Sequence, residues 1–541
     1  MKKRIITYSA IAILSLAFIS SFVFFFTRNR EDTGLEGTSG LESGYDSPHS
    51  PSDTNDPEDT HNGAYNIDDI SDTPQVTVVP SRHFEENALA VGTIFLETDR
   101  PVAYFDHTIT HEAPGFATIV DAWGDIIFSG EFDRLRGRGN STWNLPKRPY
   151  NLRFPEPQSL FGMNPARTFA LLANAQDETM LRNAILLDLA DAIGLPYSSK
   201  SVFVELYING EYRGLYQLTE RIIIHRNQRI NDIGDLNRST SLLNERPLHE
   251  YPPFDYGDMW GFRIPNNPAD ITGPFLLEGY WKHEESGFIT RIGSNISIVS
   301  PQFASYEQVA YISSFFQGME DAVSSPTGFN QYGRHFTEYI NLESAAKIFL
   351  IQEFSKNHDG ASSSIWFWKA SDTDGDGLLH FGPAWDFDIA LANAGFWGPN
   401  DGSYTYIDLS DPEGWWIPFS QNSPNRHSIY AELWQHEEFK DAVVEAWETF
   451  SFAINILLGN QEPPPGFRLR SIEEYSNAIR AAALRNYEMW EVLAHGGNRD
   501  ARMENGFDYG IAHLTRFIAG RYEFMSREGF EDLHRIFRAN D

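Results

Sequence analysis

Apolar and polar positions divide the chain into four stretches, residues 1–30, 31–82, 83–426 and 427–541. Residues 5–26 are an uncharged, mostly apolar run of 22 residues, preceded by Lys2, Lys3 and Arg4 and followed by Arg28 and Arg30. A helix of that length crosses a bilayer. The run ends in Phe22-Val23-Phe24-Phe25-Phe26, with no small residues for cleavage, so it is expected to be an uncleaved signal-anchor, with a cleaved signal as the alternative. The basic N-terminus points to a cytoplasmic end and a membrane-anchored, extracytoplasmic body. Residues 31–82 have few apolar positions and no Lys or Arg between Glu31 and Pro80. Such a segment buries too little surface to offset chain entropy and is expected to be a disordered acidic tether.

Regular periodicity begins after Arg82. Gly92–Thr98 and Phe116–Val120 read as strands. Leu181, Ile185, Leu189 and Ile193 recur at helical spacing within 177–193, and Gly194 closes the pattern. Val202–Ile208 and Tyr212–Leu218 flank Asn209-Gly210, which predicts a β-hairpin. Residues 223–300, with Pro252-Pro253, Pro265 and Pro268, read as loop-rich. Helices are predicted near 305–323 and 341–355, a strand over Ser364–Trp368, and mainly helix after 427. No internal repeat is visible. The pattern predicts an α+β protein.

Composition narrows the function. With 541 residues, 41% of them hydrophobic and 14% aromatic, the chain can build a large core in two to four units. A formal charge of −33 argues against a nucleic-acid partner, because phosphate backbones need a basic surface. The absence of Cys excludes disulfides, thiolate catalysis and zinc-thiolate sites.

Three segments carry chemistry. Arg134 to Phe154 concentrates cations, with Arg136-Gly137-Arg138-Gly139-Asn140 at its centre and Lys147, Arg148 and Arg153 beyond. Glycines admit close backbone approach, and Arg and Lys suit phosphate oxygens. Asn357-His358-Asp359 lies at a predicted helix-to-strand corner, where an Asp can accept a proton from an attacking hydroxyl. In Trp385-Asp386-Phe387-Asp388, a strand would set both acids on one face, an arrangement suited to a divalent cation. The same pair read as a glycosidase's acid and nucleophile is disfavoured, since neighbours on one strand seldom straddle a sugar. Asp372-Thr373-Asp374-Gly375-Asp376-Gly377 resembles the start of an EF-hand loop, but Pro383 stands at the twelfth position, so a hairpin turn is expected.

Taken together, these segments resemble the spore-coat-protein-H (CotH) kinase family over about residues 85–420. The resemblance rests on Arg136 to Trp143 with Pro146-Lys147, Leu171 to Asn174, Leu181-Arg182-Asn183, Val204 to Tyr216 with Thr219-Glu220, and the two Asp segments. It implies an atypical protein-kinase-like two-lobed fold that uses ATP and Mg²⁺ (or Mn²⁺) to phosphorylate Ser or Thr hydroxyls of protein substrates. By the same resemblance Asp359 is the catalytic-loop Asp. Asp386, Ser364 and Asp388 are the metal positions, and Arg136, Arg138, Asn140, Lys147, Arg153 and Glu220 are the nucleotide-binding ones. Arg153 stands where such families often carry Lys, so which cation takes the kinase-lysine role is left open. The family pattern has Asn where this chain has Ser364, a weaker metal ligand. A catalytically weak, surface-bound scaffold is therefore the alternative. Trp397, Trp415 and Trp416 could then serve as stacking surfaces for glycans.

Overall fold

The computed structural model of the protein describes residues 89–224, 234–279, 284–360, 364–394, 396–397, 407–417, 429–490 and 506–528. The expected signal-anchor and acidic tether lie outside these residues. Among the described residues no helix is long and apolar enough to cross a membrane.

The first unit of the fold is a closed barrel of seven strands. These are β1 (Gly92–Glu97), β2 (Glu112–Val120), β3 (Ile126–Gly137), β4 (Tyr150–Gln158), β5 (Ala166–Leu172), β6 (Ser201–Ile208) and β7 (Glu211–Glu220). Their order is β1-β2-β3-β4-β5-β7-β6, and β6 returns to pair with β1 in parallel. Alternation decides which face points inward. Ile94 and Leu96 are fully buried while Phe95 between them is 40% exposed. Leu135, Leu152, Phe154, Phe169, Val204 and Leu218 fill the interior with them. The predicted hairpin is β6–β7, with Asn209 and Gly210 at φ of 50° and 77°, the left-handed pair a two-residue turn requires.

The helix predicted over 177–193 is α1 (Arg182–Ala192). Its first predicted turn is instead a knot around Asp177, whose carboxylate accepts the N–H groups of Thr179 and Arg182, each at 2.9 Å. The second unit is a seven-stranded sheet ordered β14-β13-β10-β12-β11-β9-β8. Its strands are β8 (Pro253–Asp255), β9 (Met259–Phe262), β10 (Phe275–Gly279), β11 (Gly287–Ile289), β12 (Asn295–Ser300), β13 (Ile365–Lys369) and β14 (Leu379–Phe381). Five of these strands fall in the region that reads as loop. They are short, and β10 is buried at every position, so neither length nor alternation marks it. The EF-hand-like segment is the β13–β14 connection, as expected of a hairpin. Its Asp372 accepts hydrogen bonds from Lys369 Nζ and Tyr311 Oη.

Helices α2 (Tyr306–Val323) and α3 (Leu342–Ser355) match the predicted spans. Ser305 and Gln308 cap α2 with reciprocal side-chain bonds. Downstream come α4 (Glu437–Leu457), α5 (Ile472–Met489) and α6 (Gly506–Glu528). Their apolar faces share one hydrophobic core with α1, α2, α3 and the second sheet. Helix α5 also reaches the barrel. Asn486 Oδ1 accepts the Leu215 N–H at 3.0 Å, and Gly214 at φ 101° leaves room for it, since a Cβ there would lie 2.4 Å from that oxygen.

One acid inside this core titrates unusually. Burial pushes the Glu320 carboxyl up to about 7, against a hydrogen bond from Ser294 Oγ that lowers it. Folded protein keeps this proton where the unfolded chain, at about 4.3, has lost it, so stability falls as pH rises between those values. Glu320→Gln is expected to match the wild type near pH 4 and to be more stable at pH 8 by roughly 3–4 kcal/mol. Urea unfolding at the two pH values measures this.

Candidate active site

Two loops that are distant in sequence meet beneath the barrel. Helix α3 ends at Lys356, which takes a left-handed φ of 44° and turns the chain into Asn357-His358-Asp359. Asn357 then acts as a rivet. Its Nδ2 donates to Gln352 Oε1 at 3.0 Å and to the Asp386 carbonyl at 3.2 Å, and its own carbonyl accepts from Trp416 Nε1 at 2.9 Å. His358 Nδ1 lies 3.2 Å from Asp359 Oδ1, an orienting contact.

The result is one cleft of about 280 Å³ whose lining includes Asp359, Ser364, Asp386 and Asp388 together with Arg138, Asn140, Ser141 and Thr142. Trp366, Trp385, Leu187 and Ile222 give it apolar walls, with Glu278 and Arg221 among the polar ones. Arg138 lies over the Trp385 ring at 5.9 Å. A small mixed cleft with converging charges is the usual form of a ligand site.

The local backbone differs from the strand expected for 385–388. Strand β14 stops at Phe381, and Asp386 has φ 69°, so Asp386 and Asp388 do not sit on a strand face. Ser364 also has a left-handed φ, 52°. Non-glycine residues in that region cost about 1–3 kcal/mol each and cluster where function requires them. The two residues are joined, since Ser364 Oγ donates to Asp386 Oδ2 at 2.7 Å. Burial first, then the carboxylates of Asp386, Asp359 and Asp177, pushes Asp388 well above the ordinary carboxylate value. A group of acids in that state favours either a proton or a cation.

The other sequence-derived positions separate. Lys147 does not reach the cleft. Its Nζ is buried beneath the barrel and donates to the carbonyls of Ala173, at 2.7 Å, and Leu215, with the Tyr216 ring 4.6 Å away. Burial, then Arg213, holds it well below the usual lysine value. Glu220 is a clamp between loops, accepting the N–H groups of Asn164 at 2.7 Å and Lys200 at 3.0 Å. Arg136 Nε donates to the Ile109 carbonyl, and Arg153 Nε lies 3.7 Å from Asp133. Both belong to a cationic group with Arg134 and Arg221. Burial, then the charges of Arg153, Arg136 and Arg221, pulls Arg134 down to about 9. The cleft itself receives only Arg138 and Asn140 from the six predicted nucleotide positions. Asn174, Asn183, Arg221 and Glu278 line it too, although none was singled out as a site residue.

A family model described as CotH kinase protein matches residues 135–525. The chain belongs to the CotH kinase family. No curated protein matches it. The CotH match extends through α4 and α5 and into α6, so the helical C-terminal part lies within the family's span. This agrees with the single core those helices share with the cleft-bearing elements. The glycan-stacking alternative loses two of its three rings. Trp415 and Trp416 are buried in that core, and the Trp397 side chain lies outside the described residues.

Proposed function

We propose that this CotH family member is a protein kinase of atypical two-lobed form that transfers the γ-phosphoryl group of ATP to Ser or Thr hydroxyls of a protein substrate. One observation carries the reading. Asp359, Ser364, Asp386 and Asp388 line the same cleft as Arg138 and Asn140, although more than 200 residues separate the two sets. Phosphoryl transfer needs positioning and charge neutralisation more than covalent chemistry, and this is the set that supplies both.

The donor chemistry fits Mg²⁺ or Mn²⁺. Among the described residues no group of three or more His, Asp or Glu side chains could hold a metal alone. Mg²⁺ in phosphoryl-transfer sites takes one or two carboxylates and completes its shell with phosphate oxygens and water, which suits Asp386 and Asp388. The metal, when bound, would neutralise charge on the phosphates. Ser364 fixes the Asp386 carboxylate through its hydroxyl. Arg138, backed by Trp385, would balance oxygens of the transferred group. Asp359 would accept the proton of the acceptor hydroxyl, oriented by its His358 contact. The membrane anchor and extracytoplasmic placement remain part of the proposal.

Purified protein, incubated with γ-labelled ATP, Mn²⁺ or Mg²⁺ and a Ser/Thr-rich acceptor, is expected to label the acceptor. Metal-dependent ATP binding with no transfer would favour the scaffold reading.

A further inference from the structure

We infer that Asn183 is the positioning residue for the Asp386–Asp388 turn, holding it through the Phe387 N–H. The inference rests on the kinase reading for its consequences but on separate contacts for its geometry. Phe387 lies between the two acids, and its backbone N–H donates to Asn183 Oδ1 at 2.8 Å. A backbone N–H can only donate, so it fixes which way the Asn183 amide faces. The Asn183 NH₂ is then turned to Asn174 Oδ1, at 3.4 Å. The Asn174 NH₂ in turn donates to Gln217 Oε1 at 3.2 Å, and the Gln217 NH₂ donates to Ser201 Oγ at 2.9 Å. All four side chains are buried.

The row of amides runs in one sense from the acid-bearing turn to the barrel. Asn183 stands at the start of α1, Asn174 just after β5, Gln217 on β7 and Ser201 on β6. Asn183 and Asn174 are each both donor and acceptor to groups that cannot reverse their role, so neither can flip without breaking its bonds on both sides. This matters because Asp386 is held at φ 69°, a conformation that a non-glycine residue keeps only when its surroundings over-determine it. Two fixed points do so. Asn357 holds the Asp386 carbonyl and Asn183 holds the next N–H. Arg182, adjacent to Asn183, secures the far side of the same segment by donating from Nε to the Leu391 carbonyl at 3.2 Å. Asn183 does not itself need to touch a metal. It sets where the Asp386 and Asp388 carboxylates stand.

Two variants of the full protein separate this role from simple packing. Asn183→Leu keeps the approximate shape but removes the acceptor for Phe387. Asn183→Asp keeps that acceptor, loses the donor to Asn174 and adds a carboxylate to the acid-lined cleft, so it is compared with the wild type by amide exchange and not by metal affinity. Mn²⁺ affinity in the presence of ATP, read by electron paramagnetic resonance, is expected to fall at least tenfold in Asn183→Leu, in line with the usual effect of residues that orient metal ligands. Amide exchange of the 384–390 peptide is expected to quicken in the first variant and not in the second. Wild-type affinity in Asn183→Leu, or equal quickening of exchange in both variants, overturns the assignment. If Asn183→Leu does not fold, exchange in Asn183→Asp decides: retained protection of the 384–390 peptide upholds the role, and its loss overturns it. If the wild type itself binds no Mn²⁺ with ATP, the kinase reading fails, and the exchange comparison alone still settles whether Asn183 holds the turn.

Discussion

Asp386→Asn is expected to abolish phosphoryl transfer, by at least 10³-fold, and with it metal-dependent ATP binding. A loss of that size corresponds to about 4 kcal/mol of transition-state stabilisation. The argument starts from position. Asp386 accepts from Ser364 Oγ, has a left-handed φ, and lines one cleft with Asp388, Arg138 and Asn140. Asn is the appropriate replacement, because it tolerates a positive φ and keeps the size of the side chain while removing the charge. Ala would add about 1–2 kcal/mol of backbone strain and confuse the result. Asp359→Asn makes the contrast. It is expected to retain ATP binding while turnover collapses, because the proposed role of Asp359 lies with the acceptor hydroxyl rather than with the phosphates. Calorimetry for binding and labelled-phosphate transfer for turnover distinguish the two. Turnover of Asp386→Asn within tenfold of wild type would falsify the metal assignment, and surviving turnover in Asp359→Asn would remove the proposed base.

Glu353→Ala is expected to destabilise the fold by about 3–5 kcal/mol, seen as a lower urea midpoint with an unchanged slope. Glu353 and Arg521 are both fully buried and form an ion pair. The carboxylate also accepts the N–H groups of Trp416 at 2.8 Å and Ile417 at 2.7 Å. Removing it strands a buried guanidinium and two buried donors. Arg521 retains bonds to the carbonyls of Pro412 and Gly414 at 3.0 and 2.6 Å, so its charge remains buried with only dipoles around it. Arg521→Ala should cost a similar amount. The double variant should cost less than the sum of the two, which a double-mutant cycle reads directly. Additive losses would show that the pair is not coupled.

What the sequence made legible depended on how local the signal was. The β6–β7 hairpin could be read because Asn209-Gly210 admits few other conformations. The meeting of Asp359 with Asp386 followed from the family's motifs, and the cleft now contains both. Lys147 could not be placed from sequence. It follows the Arg-Gly-Arg-Gly segment closely, yet nothing in the order of residues says that its ammonium turns under the barrel to two carbonyls. Trp385 to Asp388 alternates as a strand does, but the positive φ of Asp386 arises from tertiary bonds that local pattern does not record. Strand β10 was hidden for a related reason, since burial on both faces erases the period. Asn174 and Asn183 were visible as members of quoted motifs. Their use became apparent only once β5, α1 and the Asp386 segment lay side by side.

The Glu353–Arg521 contact also bears on how the molecule comes into being. The acid belongs to the helix that leads into Asp359, while its counter-charge is translated 168 positions later. A polypeptide emerging from the ribosome therefore cannot complete the support beneath the Asp359 loop until Arg521 has been translated. Early termination between Asp388 and that arginine would yield a product with every proposed reactive side chain present and the buried Glu353 carboxylate without its counter-charge.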